Sequence, residues 1–98
     1  MIRRLEFTPR ARRDIEEIWE YSVEQFGLDK AEAYPRDIRR ATSTVAEDPR
    51  RGLACDEIRS GYRKFSVGSH ILFFRASANR VVIVRILHAR MNFDRHLR

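Results

Sequence analysis

A chain of 98 residues is long enough for one domain and too short for two, so we expect a single domain over residues 1–98. With 43% hydrophobic and 35% charged residues, the composition is typical of a soluble globular protein. No apolar run approaches the roughly 18 residues of a membrane span, and the beginning lacks the apolar stretch of a secretory signal. The lone Cys55 has no disulfide partner, which favours a reducing, cytoplasmic setting.

The net charge of +6 is unevenly distributed along the chain. Residues 1–48 carry a net charge of −2, whereas residues 49–98 carry +8, and Asp94 is the only acidic residue after Glu57. Of the 20 basic residues 18 are arginine, whose planar guanidinium pairs with carboxylate or phosphate through two hydrogen bonds. The asymmetry indicates an acidic partner, either nucleic acid or an acidic protein segment.

The beginning of the chain predicts a strand followed by a helix. Residues 2–7 alternate in polarity as a strand does. Thr8 and Pro9 are typical of a helix start, and Gly27 can end that helix in the left-handed conformation. Residues at 3.6-residue spacing form a stripe that we expect to be buried, with its two large aromatic side chains in the core. The stripe consists of Ala11, Ile15, Ile18, Trp19, Ser22 and Phe26.

A second helix follows after a short connection, which makes the pair an antiparallel hairpin. Asp29 and Glu32 have the spacing of a capping box, apolar residues recur over 34–45, and the helix should end before Pro49. Pro35 conflicts with this pattern, because a proline inside a helix removes one hydrogen bond and costs about 3 kcal/mol. We therefore expect a kink there, or a helix that begins at Pro35.

Residues 49–58 are typical of a loop, and three strands follow it at 61–67, 70–76 and 80–89. The turns between them are short, so the strands should form an antiparallel meander. Helices grouped before strands predict an α+β fold of order β-α-α-β-β-β, with an N-terminal helical hairpin packed on a small antiparallel sheet.

The stretch from Arg80 to Arg98 begins as a predicted core strand and continues with arginine and histidine residues. Val81 to Val84 are β-branched and suit a buried strand, and Phe73 and Phe74 on the preceding strand should point to opposite faces. One phenylalanine should pack under the helices, and the other must be covered by a loop or the C-terminal tail, or be exposed. Alternation predicts Arg85, Leu87 and Ala89 on one face and Ile86, His88 and Arg90 on the other.

The same region offers weak candidates for RNA cleavage, which needs a base, an acid and a cation near the phosphate. We find no metal-ligand spacing and no glycine-rich phosphate loop, so we expect no metal and no cofactor. The candidates on or after the sheet are Arg63, Lys64, His70, Arg75, Arg85, His88, Arg90 and His96.

Six segments in their order and spacing resemble the ParE branch of the RelE/ParE toxins of bacterial type II toxin–antitoxin modules. The resemblance covers nearly the whole chain and implies the β-α-α-β-β-β architecture that the residue pattern also predicts. The segments are residues 5–11, 14–21, 46–52, 58–63, 68–75 and 83–91.

This resemblance implies a toxin that a cognate, ParD-like antitoxin neutralises in a hetero-oligomer, with DNA gyrase as the target. Toxins of the RelE branch instead cleave messenger RNA on the ribosome, with a tyrosine or histidine near the C-terminus. Because no tyrosine follows Tyr62 here, a non-enzymatic gyrase poison is favoured over a ribonuclease. We expect neither membrane contact nor direct sequence-specific binding of nucleic acid.

The resemblance and the charge pattern together suggest residue sets for each role. We expect target contacts from Arg85, His88, Arg90, Met91, Arg95 and His96, and antitoxin contacts from Tyr21, Val23, Tyr62, Arg63, Phe73 and Arg75. A ribosome-dependent endoribonuclease is the alternative, and it would use Arg63, Lys64, Arg85, His88 and His96. A further alternative is a protein of this fold that binds antitoxin and has lost toxicity.

Overall fold

Two helices cover one face of a five-stranded sheet in the computed structural model, which describes residues 3–97. Ile2, expected in the first strand, and Arg98, expected at the end of the basic stretch, lie outside the described residues. The α+β class is confirmed. The strands are β1 Arg4–Phe7, β2 Leu53–Ala54, β3 Arg63–Val67, β4 His70–Ala76 and β5 Arg80–His88. The helices are α1 Pro9–Phe26, α2 Ala33–Glu47 and α3 Phe93–Leu97, with 3-10 turns at Leu28–Lys30 and Pro49–Arg51.

The sheet has the strand order β1-β5-β4-β3-β2 and is mixed rather than antiparallel. The meander β3-β4-β5 forms as predicted, and the short β2, in a region expected to be a loop, extends it antiparallel to β3. The predicted antiparallel sheet is wrong at β1, which pairs in parallel with β5, with Arg4 opposite Arg80 and Phe7 opposite Ile83. Parallel pairing requires a crossover connection, and everything between these two strands supplies it.

Helix α1 begins and ends at the residues that the sequence indicates. The Thr8 hydroxyl accepts a hydrogen bond from the Ala11 N–H, Pro9 is the first helical residue, and Gly27 has φ +80°. Its buried face is narrower than predicted, because Trp19 remains 40% exposed and Phe26 50% exposed. Trp19 is about 100° around the helix from the fully buried Ile18, and this angle places it on the flank of the hairpin.

Pro35 lies in the first turn of α2 and produces no helix break. The helix starts at Ala33, two residues before Pro35, and not at Pro35 itself. The N–H groups of a first helical turn have no intrahelical partner, so the missing N–H of Pro35 costs no hydrogen bond there. The capping box predicted at Asp29 does not form, because Asp29 lies in a 3-10 turn and Glu32 precedes α2 without a capping side-chain bond. The helix ends at Glu47, before Pro49, as predicted.

Two apolar clusters pack on opposite faces of the sheet, and Phe73 and Phe74 point into different ones, as predicted. Phe74 lies under the helical hairpin, whereas Phe73 is covered by Phe93 and Leu97 from the end of the chain and by Tyr62. The cluster under the hairpin includes Ala11, Ile18, Ile38, Val45, Leu72, Val81, Ile83 and Ile86. In the described chain, no helix combines the length and hydrophobicity that crossing a membrane requires.

A β-bulge interrupts the pairing of β4 with β5. Phe73 lies opposite Arg85 and Phe74 opposite Ile83, so Val84 is the extra residue on β5. Such an insertion bends the strand and increases its local twist. The bulge occurs where β1 has ended and α1 begins to run beside β5.

Candidate functional site

A buried ion pair joins α1 to the second half of β5. The Nε and Nη2 atoms of Arg85 donate hydrogen bonds to the two carboxylate oxygens of Asp14, at 2.8 and 3.0 Å. The Ile86 N–H donates to the same carboxylate at 2.9 Å. Both charged side chains are buried, at 5% and 8% exposure, and a buried charge is tolerated when it is paired and hydrogen-bonded.

Thr8, at the N-terminus of α1, takes over the hydrogen bonding of β5 where β1 ends. The Thr8 N–H donates to the carbonyl of Ile83 at 3.0 Å, and its hydroxyl donates to the carbonyl of Val84 at 2.7 Å. Thr8 and Asp14 thus satisfy successive backbone groups along an otherwise open edge of β5, as buried backbone groups require.

Arg85, expected as a target contact and as a member of the ribonuclease set, is buried in the structure. Its guanidinium is in the interior, where its third nitrogen, Nη1, donates to the carbonyl of His96 at 3.4 Å. Asp14 was missed at the sequence level, although it occurs within the apolar stripe of α1, between Ala11 and Ile18. A carboxylate at such a position is the signal of a buried cationic partner.

Residues 89–97, which we call the C-terminal segment, are anchored by apolar and polar contacts. The Phe93 ring lies 5.0 Å from the Phe73 ring, Leu97 is buried, and Arg59 donates to the Leu97 carbonyl at 3.3 Å. The remaining predicted target residues divide by exposure. Arg90, Met91 and Arg95 are exposed, whereas His88 and His96 are half-buried.

Four aromatic side chains from α1, α2, β4 and β5 meet beside this segment and form what we call the tyrosine–histidine cluster: Tyr21, Tyr34, His70 and His88. A hydrogen bond of 2.6 Å joins Tyr34 Oη to His70 Nδ1, and the Ser69 N–H donates to the same hydroxyl at 3.0 Å. The His70 and His88 rings are 5.3 Å apart, and Tyr21 contacts both.

Electrostatics in this cluster favour neutral imidazole at position 70. Burial lowers the pKa of His70 from 6.5 to about 4, with the nearby His88 acting in the same direction and Asp14 in the opposite one. Burial also raises the pKa of Tyr34. At neutral pH the hydrogen-bonded pair of Tyr34 and His70 is therefore uncharged, and it joins the hairpin to the sheet.

The alternative ribonuclease set has one buried member, Arg85, and four half-buried members, which are Arg63, Lys64, His88 and His96. Lys64 and Arg85 lie in one row of the sheet, with Phe73 of β4 between them, which implies a separation of about 10 Å between strands. Arg63 donates to the Gly52 carbonyl, and His88 lies three residues beyond Arg85 along β5.

Two of the predicted antitoxin contacts, Tyr62 and Phe73, are buried in the cluster under the C-terminal segment. Tyr21, Val23 and Arg63 are half-buried and Arg75 is exposed. Large exposed apolar groups lie instead on the hairpin. They are Trp19, Phe26 and Leu28, which we call the apolar hairpin surface. Trp19 lines a cleft of about 220 Å³ with Glu32, Pro35, Arg36 and Arg39.

The sequence profile described as "ParE toxin of type II toxin-antitoxin system, parDE" matches residues 5–93. The chain belongs to the ParE toxin family. It is 47% identical over 91 residues to Toxin ParE1 of Mycobacterium tuberculosis, which covers 92% of this chain and 93% of that protein. It is 39% identical over 88 residues to Toxin ParE1 of Caulobacter vibrioides, which covers 90% of this chain and 91% of that protein.

Solved structures support the same fold for this ParE family member. A chain of the chromosomal ParDE system from P. aeruginosa superposes with a TM-score of 0.75 at 21% identity, covering 89% of this chain and 96% of that one. A chain of the toxin–antitoxin complex RelBE2 from Mycobacterium tuberculosis gives a TM-score of 0.66 at 21% identity, covering 90% and 99%. Both superpositions show that these chains have the same fold as this one.

Removing the carboxylate of Asp14 should strongly destabilise this ParE family member. We expect Asp14→Ala to lower the free energy of unfolding by about 3–5 kcal/mol, because it leaves the Arg85 charge buried without its partner. Glu6→Ala is the matched control, since its ion pair with Arg80 is exposed and spans 3.6 Å. It should cost less than about 1 kcal/mol. Urea unfolding measures both, and equal losses would contradict the assigned role of Asp14.

Stability should decline as His70 is forced to accept a proton. Its pKa is about 4 in the folded protein and 6.5 ordinarily, so the unfolded chain binds the proton first as pH falls. Full stability is present above about pH 6.5, and about 3 kcal/mol is lost as pH approaches 4. Urea unfolding between pH 4 and pH 8 measures the free energy of unfolding at each pH. This free energy should fall less steeply with decreasing pH in His70→Asn than in the wild-type protein, with the values at pH 8 as the reference. An unchanged slope would show that other groups govern the loss.

Proposed function

We propose that this protein is a non-enzymatic toxin that poisons DNA gyrase in the cytoplasm and is neutralised by a cognate ParD-like antitoxin. Membership of the ParE toxin family over residues 5–93 carries the proposal. Support also comes from the two structural neighbours, which belong to a ParDE system and to a RelBE2 toxin–antitoxin complex. Burial of Arg85, a member of the alternative ribonuclease set, favours a binding mechanism over RNA cleavage.

The gyrase-facing surface in this proposal is the exposed part of the C-terminal segment. Arg90, Met91 and Arg95 are exposed on a short segment that Phe93 and Leu97 anchor to the sheet. Arginine and methionine are enriched at protein interfaces, the former for directed hydrogen bonds and the latter for adaptable packing. His88 and His96 flank these three residues, and Arg85 positions the segment from below through the His96 carbonyl.

The antitoxin-facing surface in this proposal is the apolar hairpin surface. Trp19 and Phe26 are seven residues apart, so they lie on one side of α1, and Leu28 follows directly after that helix. An amphipathic antitoxin helix would place apolar side chains on such a row. The exposed Arg36 and Arg39 beside Trp19 would pair with acidic residues at the rim of that helix.

Purified toxin should inhibit supercoiling by gyrase and trap cleaved plasmid. In the triple variant Arg90→Ala/Met91→Ala/Arg95→Ala, we expect potency to fall at least about tenfold, because truncating a buried interface anchor costs more than about 1.4 kcal/mol. Arg12→Ala/Arg13→Ala on the exposed side of α1 removes the same charge and should retain potency. Urea unfolding of each variant checks that the fold is intact.

Two results would redirect the assignment. New codon-positioned transcript ends after induction, together with unaffected gyrase, would favour the ribosome-dependent endoribonuclease. Normal growth after induction without antitoxin would favour a protein that retains antitoxin binding and has lost toxicity.

Antitoxin binding should depend on the exposed apolar side chains of the hairpin and not on equally exposed apolar side chains elsewhere. We expect Trp19→Ser to weaken binding of the cognate antitoxin about 30-fold or more, as a central aromatic anchor does, and Leu28→Ser to weaken it as well. Leu53→Ser is the matched control, because Leu53 on β2 is 69% exposed and Leu28 is 71% exposed. Calorimetric titration measures all three. Equal effects of Leu28→Ser and Leu53→Ser would contradict the assignment of this surface.

A further inference from the structure

Three clefts meet around the β4–β5 turn, at the end of the sheet away from the tyrosine–histidine cluster. Their volumes are about 500, 240 and 750 Å³, and all three are lined by Ser77. Arginine side chains from β1, β3, β4, β5 and the chain segments beside them line the clefts. These residues, which we call the arginine surface, are Arg3, Arg4, Arg50, Arg63, Arg75 and Arg80.

Most of these guanidinium groups are available to an anion. Arg4 and Arg75 are exposed. Arg3 and Arg63 each donate one hydrogen bond of 2.8 Å to a backbone carbonyl, of Ser77 and Gly52 respectively. Since an arginine carries five N–H donors, these bonds orient the side chain and leave further donors for a ligand.

The carboxylates at this end neutralise the arginine surface incompletely. Glu6 lies 3.6 Å from Arg80, and Asp48 lies 3.1 Å from Arg50. Both pairs involve exposed side chains, and such pairs contribute little energy, so a multivalent anion can compete with them. Asp48 and Glu47 both line the cleft of about 750 Å³, and no acidic residue of the described chain lines the other two.

The composition of the arginine surface distinguishes between two kinds of acidic partner. The large exposed hydrophobic groups of the described residues, on the hairpin, β2 and the C-terminal segment, line none of these three clefts. A peptide that folds on binding needs apolar anchors, and protein interfaces are depleted in charge at their centre. Contacts to a phosphate backbone instead come from arginine, lysine and small polar groups.

The dimensions also suit a duplex. β1, β5, β4 and β3 are adjacent, so their arginines extend over roughly 14 Å of the sheet end. Duplex DNA carries one charge per about 1.7 Å of its axis, so a surface of this width faces several phosphates at once. The turn residues Ser77, Ala78 and Asn79 are small, which lets a backbone approach the arginines on both sides.

We propose that the arginine surface binds the phosphate backbone of duplex DNA independently of base sequence. This activity goes beyond the action on gyrase and requires no gyrase. It uses a part of the protein distinct from the C-terminal segment and from the apolar hairpin surface. Phosphate contacts carry no direct sequence information, so binding of this kind does not depend on the bases.

Fluorescence anisotropy with a short mixed-sequence duplex tests the proposal on the purified full chain. The wild-type protein should bind with an affinity that falls steeply with salt. In Arg4→Gln/Arg75→Gln, the slope of log affinity against log salt should decrease by about two, and affinity at low salt should fall by more than about tenfold. Arg12→Gln/Arg13→Gln removes equal charge from α1 and should keep the wild-type slope.

Three outcomes overturn this inference. The first is failure of the wild-type protein to bind duplex at low salt, and the second is an equal loss in the two double variants. The third is arginine-dependent binding of a glutamate-rich peptide without binding of duplex, which would assign the surface to an acidic protein segment. Poisoning of gyrase by a protein that does not bind duplex removes this inference alone, whereas duplex binding without poisoning removes the proposed function alone.

Discussion

The carboxylate of Asp14 is the interaction on which the arrangement of this protein depends. It accepts hydrogen bonds from two guanidinium nitrogens of Arg85 and from the Ile86 N–H. β1 ends at Phe7, opposite Ile83, and beyond this point α1 takes the place of a neighbouring strand along β5. Arg85 in turn donates a hydrogen bond to the His96 carbonyl of the C-terminal segment. The desolvation cost of two buried charges offsets much of their mutual attraction, but here the pair fixes the relative positions of helix, strand and C-terminal segment.

The sheet separates the surfaces that we assign to different partners. The helical hairpin covers one face and carries the apolar hairpin surface, whereas the C-terminal segment covers the other face. The arginine surface occupies one end of the strands, and the tyrosine–histidine cluster lies at the other. Because each surface has its own composition, the partners proposed for them also differ: an amphipathic helix, a protein target and a phosphate backbone.

Local signals predicted much of this fold, and non-local contacts account for what was missed. Thr8, Pro9 and Gly27 mark the ends of α1 through their own backbone preferences, and the short turns on either side fix β4. The parallel partner of β1 and the bulge at Val84 have no local signature. Asp14 and Arg85 are 71 residues apart, so neither residue by itself indicates that the other neutralises it.

The position of β5 between β1 and β4 has a consequence for how the protein reaches its structure. Residues 4–76 contain the other four strands and both long helices, and they are synthesised before the strand that joins β1 to the meander. Until β5 emerges from the ribosome, β1 has no neighbouring strand to pair with, and the helical hairpin lacks much of the sheet that it covers. Contacts of such long sequence separation form slowly, so the sheet cannot be completed before residues 80–88 have been synthesised.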